Sequence, residues 1–108
     1  MIDLLLKVAK SNPDGFTVSI PSLTFVSKGI VCAYEATQGS FGKKGLKTCI
    51  EHAETHNNVI GGWLEVEAKR YYFDSCHVFD NLQDAIDFGK ANNQIAVYDL
   101  NTLSEIRL

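Results

Sequence analysis

The sequence predicts one α+β domain spanning residues 1–108, in the order α-β-β-α-β-β-α-β, with a largely antiparallel sheet and helices packed on one face. Three observations predict it. Strand-like segments come in adjacent pairs, as hairpins do, and the pairs are separated by segments with apolar residues at helical spacing. At 108 residues, 45% hydrophobic and 21% charged, the chain matches one domain with its own core. No repeat, low-complexity stretch or linker divides it.

Residues 2–11 place Ile2, Leu5, Leu6 and Ala9 on one helical face, with Lys7 and Lys10 opposite. Pro13 pushes Asn12 out of the helical region and Gly15 tolerates positive φ, so this helix stops at 11–15. Residues 16–20 (Phe-Thr-Val-Ser-Ile) alternate apolar and polar, a strand with one solvated face that Pro21 ends. Residues 21–28 receive no assignment, and 29–37 read as a second, more buried strand. The loop 38–45 leads into a helix whose stripe is Leu46, Ile50 and Ala53, ending at Asn57-Asn58.

Residues 59–67 and 70–79 read as two strands joined near Glu67-Ala68-Lys69. A period of two sets Trp63 with Gly61 and Glu65, and Ile60, Leu64 and Val66 on the other face. Asp80, with Gln83 three residues on, predicts a capping box opening a helix whose inner face is Leu82, Ala85, Ile86 and Gly89. Asn92-Asn93 stops it. Residues 94–100 form the last strand, followed by a partly extended tail, 101–108.

Charge and cysteine use narrow the function classes. A net charge of −3 argues against nucleic-acid binding through overall charge. Asp3 and Lys7 interrupt the opening apolar run, which does not read as a signal peptide. No stretch approaches the ~18 apolar residues of a membrane span, so no membrane partner is expected. Three widely spaced cysteines (Cys32, Cys49, Cys76) suit reduced thiols in a cytoplasmic protein.

Several side-chain groups invite a chemical reading. Gly39, Gly42 and Gly45 with Lys43, Lys44 and Lys47 lie at a helix start, where backbone N–H groups attract anions. The spacing departs from a phosphate-binding P-loop: two residues separate Gly39 from Gly42, and Lys44 rather than Ser or Thr follows Lys43. Gly42, Lys43 and Lys44 therefore stand as the anion or nucleotide site of an alternative, ligand-binding or enzymatic reading. Cys49, His52 and His56 fall on one helix flank with zinc-ligand chemistry, yet no second ligand pair accompanies them, and no metal or other cofactor is expected. Cys76 and His77 are strand neighbours that point to opposite faces, which precludes a nucleophile–base pair. Glu65-Val66-Glu67 has the E-x-E spacing of ADP-ribosyltransferases without their upstream arginine, and reads as a solvated hairpin end.

The aromatic residues Trp63, Tyr71, Tyr72 and Phe73 gather on the central hairpin. Acids surround them, which disfavours RNA stacking and favours a contact surface for a protein partner or a second copy of the chain. Asp74 and Asp99, acids in apolar strands, are expected at strand ends, accepting hydrogen bonds from backbone N–H groups or tyrosines. A paired-carboxylate site would require their strands to be neighbours.

The run Gly61-Gly62-Trp63, Tyr71-Tyr72-Phe73-Asp74, Val78-Phe79, Asp84-Ala85-Ile86 and residues 93–100 (Asn-Gln-Ile-Ala-Val-Tyr-Asp-Leu) resembles a small domain of bacterial phage and mobile-element proteins. The resemblance covers roughly residues 59–100, with a weaker echo at 15–18. It implies a bacterial or phage cytoplasm and an accessory role, and carries over no catalytic residue. Without a catalytic constellation, the expected function is that of a non-enzymatic accessory domain acting by protein–protein interaction or self-association.

Overall fold

Alternation of apolar and polar residues builds the sheet, and helices close over one side of it. The computed structural model describes residues 1–108. Its elements are α1 (Ile2–Ser11), β1 (Phe16–Ser19), β2 (Thr24–Phe25), β3 (Ile30–Ala33), α2 (Gly42–Glu54), β4 (Val59–Glu65), β5 (Arg70–Phe79), α3 (Leu82–Ala91), β6 (Ala96–Asp99) and β7 (Ser104–Arg107), with a 3-10 turn at Glu35–Thr37. The strands form one antiparallel sheet in the order β2-β1-β4-β5-β3-β6-β7. The α+β class, with helices on a single face, is therefore as the sequence predicts.

All three helices seal that face. Leu5 and Ala9 of α1, and Leu46, Cys49, Ile50 and Ala53 of α2, pack on Phe16, Val18, Ile60 and Phe73. Ala85 of α3 packs with Ile30, Cys32 and Val97, and Phe79, Phe88 and Ile106 flank them. Strands β4 and β5 pair without interruption from Ile60–Ser75 to Glu65–Arg70, and the glycine pair before Trp63 makes room for neighbouring side chains. A Cβ on Gly62 would lie 2.6 Å from the Phe16 ring. That ring meets Phe73 edge to face, at 6.4 Å between centroids.

Several boundaries differ from the sequence reading, each for a local reason. The strand expected over 29–37 ends at Ala33, where the chain lifts off β5. Ser75 N–H then donates to Thr37 Oγ1 at 3.0 Å instead of to a strand carbonyl. The chain rejoins β5 farther on, where Phe73 N–H donates to Ser40 O and Phe41 bridges Tyr72. Helix α3 is capped by Asn81, not Asp80: Asn81 Oδ1 accepts from Asp84 N–H at 3.2 Å. Gln83 bonds Asp87 instead of closing a capping box. This shift leaves Leu82 exposed and gives its inner place to Phe88. The tail is a true strand: Leu103, at φ 54°, turns the chain so that β7 pairs with β6. The unassigned stretch holds β2, a two-residue partner of β1.

Candidate functional site

The face without helices is a cavity rather than a flat sheet. Residues from β1 to β7 line a concave space of about 1000 Å³. Strand alternation decides which side chains enter it: along β5, Tyr72, Asp74 and Cys76 point into the cavity, while Phe73, Ser75 and His77 point under the helices. Across the β4–β5 ladder Trp63 stands opposite Tyr72, and their rings stack at 5.5 Å between centroids. Gly61 stands opposite Asp74, so no side chain covers the carboxyl from that strand. On the other flank Val31 pairs with Tyr98. Phe25 and Val26 close one end of the cavity, and Leu103 and Glu105 the other.

Asp74 lies in the middle of β5, half-buried on the cavity floor, and not at a strand end as the sequence suggested. Burial alone pushes its carboxyl up from 3.8 to about 6; no charge or hydrogen bond within the chain opposes that. Asp99 does end its strand and accepts from Asn101 N–H at 2.8 Å. Because β3 separates β5 from β6, the two acids do not pair.

The other charged residues lining the cavity are Asp14 and Glu105, so none of the chain's 10 lysines and arginines or 3 histidines does. Its mouth carries exposed Phe25, Trp63, Ile95, Tyr98 and Leu103.

Of the four hairpin aromatics singled out from the sequence, Trp63 and Tyr72 reach this cavity. Tyr71 packs against the main core under the helices. Phe73 is fully buried and offers no contact surface, a correction that follows from its phase on β5. The anion-site residues lie elsewhere. Lys44 borders a shallow hollow of about 250 Å³ with Ser40, Gly45 and Thr48. Gly42 and Lys43 do not line it, and Lys43 Nζ instead sits 3.8 Å from Asp3 of α1. Glu65 Oε2 accepts from Ala68 N–H at 3.1 Å in the hairpin turn, and Glu67 lies beyond β4.

Cys49 is buried in the main core, and burial pushes its thiol up to about 11. Its helix neighbours face another way. His52 Nδ1 lies 2.7 Å from Ser75 Oγ, and His56 Nδ1 donates to the His52 carbonyl at 2.7 Å. The three residues do not converge as ligands, and no group of three acids, thiols or imidazoles is arranged around a metal position.

Sequence reasoning missed the aromatic cluster under the helices. Tyr34 gathers all three histidines: its ring centroid lies 4.7 Å from His52, 5.1 Å from His56 and 6.4 Å from His77. Its hydroxyl donates to Asn57 Oδ1. Burial lowers His52 and His77 below the usual imidazole range, and the His56 charge lowers His52 further. Strand order alone brings these residues together, so no local pattern announces them. Tyr98 was legible in principle, since alternation along residues 96–99 sets it opposite Val97.

No helix of the protein is long and apolar enough to cross a membrane. No protein-family model, curated protein or solved structure matches the chain.

Proposed function

We propose that this protein is a non-enzymatic accessory domain that binds a protein partner in its helix-free cavity, with Trp63 and Tyr72 at the centre of the contact. One observation carries the reading: five large apolar side chains, Phe25, Trp63, Ile95, Tyr98 and Leu103, stand exposed around a single concavity. Scattered apolar exposure is ordinary, but its concentration around one hollow marks a recognition surface. The apolar residues supply contact area and the concavity supplies shape, which together favour an extended segment of another chain.

The absence of assembled reacting groups also bears on this choice. Ser75 approaches His52, yet Ser75 is fully buried and cannot meet a substrate. Beside Asp74 in the cavity stands Cys76, whose thiol is held protonated by burial and by the Asp74 charge, and no imidazole lines the cavity, so no catalytic group is assembled there. Binding needs none of these.

A photo-reactive tryptophan analogue at position 63 tests the reading. Cross-links from that position to another chain are expected, and Trp63→Ala and Tyr72→Ala should each weaken capture of the same partner. Light scattering separates a second copy from a different protein. A strictly monomeric chain whose captured partners are indifferent to both substitutions would remove the cavity as the contact.

A further inference from the structure

The charge pattern of the cavity specifies what its occupant must carry. The chain has 10 lysines and arginines against 13 acids, yet the charged side chains lining the cavity are acids alone: Asp14, Asp74 and Glu105. Asp74 lies at the floor, on the central strand, opposite the bare backbone of Gly61. Tyr72 is two residues away on the same strand face, and Trp63 stacks on Tyr72. A carboxylate one strand repeat from two aromatic rings offers a cation both a counter-ion and π-faces. The surrounding floor is apolar, formed by Val31, Ala33 and Cys76. Such a floor suits an aliphatic stem that ends in charge, the shape of a lysine or arginine side chain.

We infer that the cavity takes a lysine or arginine side chain of a partner's extended segment, with Asp74 as its counter-ion and Trp63 and Tyr72 as its aromatic wall. This rests on the docking role proposed above and adds the chemistry of the occupant. Two observations favour a protein segment over a free amine. The space of about 1000 Å³ exceeds one basic side chain, and its mouth is ringed by exposed apolar residues suited to the side chains that flank a basic position. An unpaired acid under this rim also imposes specificity, because a neutral side chain seated there would leave the carboxylate without a partner.

Selection of randomised displayed peptides on the wild-type protein tests the inference, with affinities for each variant read by titration calorimetry. Peptides whose binding is lost with Trp63→Ala should share one lysine or arginine position. Replacing that residue by norleucine should weaken binding about tenfold or more. On Asp74→Asn the two peptides should bind alike, as the double-mutant cycle requires. Asp74→Glu, which keeps the charge, should retain part of the preference and serves if Asp74→Asn fails to fold by circular dichroism.

Trp63-dependent peptides with no basic position would overturn the cationic occupant and leave the docking surface standing. A selection that yields no Trp63-dependent peptide would overturn both. If n-butylammonium alone displaced the peptides at their own working concentration, the occupant would be a free amine, and the assignment to a partner segment would fall.

Discussion

Asp74 and Ser75 are neighbours on one strand and experience opposite chemistry. Ser75 points under the helices, where its backbone N–H donates to Thr37 Oγ1 and its hydroxyl meets His52 Nδ1 at 2.7 Å. Asp74 points into the open cavity, where burial raises its carboxyl to about 6. The helix-covered side is finished: the buried Ser75 hydroxyl and the buried Thr37 hydroxyl beside it both have partners. On the cavity side a costly group is left without an internal one. A protein stabilises its polar groups where they serve architecture, and tolerates an unpaired acid where something else completes it.

Neutralising the acid should separate the two faces of the sheet most strongly. In the folded protein the Asp74 carboxylate is disfavoured, so unfolding, which hydrates it, is favoured whenever it is ionised. With a folded value near 6 against 3.8, the penalty is absent below about pH 4 and grows to about pH 6. Above that it is constant at about 3 kcal/mol. Asp74→Asn should therefore stabilise the protein by up to about 3 kcal/mol at pH 7 and by almost nothing at pH 4, measured by urea denaturation. Equal stability at both pH values would mean that the carboxylate already has a partner.

His52 and His77 carry the opposite sign. Their folded values are lowered, so their contribution is complete above 6.5 and is lost as pH falls through that value. In Asp74→Asn the remaining loss between neutral pH and pH 5 should come from the helix-covered side.

Glycines 61 and 62 face opposite sides of the sheet and differ in the space around them. A methyl on Gly62 enters the finished core, 2.6 Å from Phe16 and 3.0 Å from Phe73, and should destabilise the protein by about 2 kcal/mol. A methyl on Gly61 enters the cavity, with Cys76 Sγ at 3.1 Å as its tightest neighbour, and should cost less while weakening any ligand seated on Asp74. Thermal melts of Gly62→Ala and Gly61→Ala test the order. Ser75→Ala follows, with an expected loss of about 1 kcal/mol: the imidazole it abandons is half-exposed, and water can replace the hydroxyl.

How much of this was legible in the sequence depends on how far each inference reached along the chain. Helices α1 and α2 and the β4–β5 hairpin followed from local periodicity, as did the opposite facing of Trp63 and Leu64. The end of β3 did not, because Ala33 yields to a hydrogen bond from Ser75 to Thr37, 38 residues apart, that no local window contains. The role of Asp74 was half visible. An acid between Phe73 and Ser75 in an apolar strand is anomalous on its face, but its isolation depends on Gly61 lying opposite and on β3 keeping Asp99 away. Tyr71 and Phe73 belonged to the same aromatic cluster in sequence, and their phase on the strand, with the helices on one side, removed them from the contact surface.

The two sides of the sheet separate most directly at Trp63, where little stability is at stake. Trp63 is 41% exposed and stacks on Tyr72, so Trp63→Ala removes one partly solvated aromatic contact. Such a pair contributes about 0.5–1.5 kcal/mol beyond its buried area, and solvent exposure places this one at the lower end. The substitution should shift the denaturation midpoint only slightly, whereas Phe73→Ala, ten positions along and facing the helices, should cost about 3–5 kcal/mol. If Trp63→Ala proved as damaging as Phe73→Ala, the indole would belong to the core, and the two sides of the sheet would no longer differ in kind. A mild loss of stability with a large loss of partner capture would mark an aromatic residue retained for recognition rather than for folding.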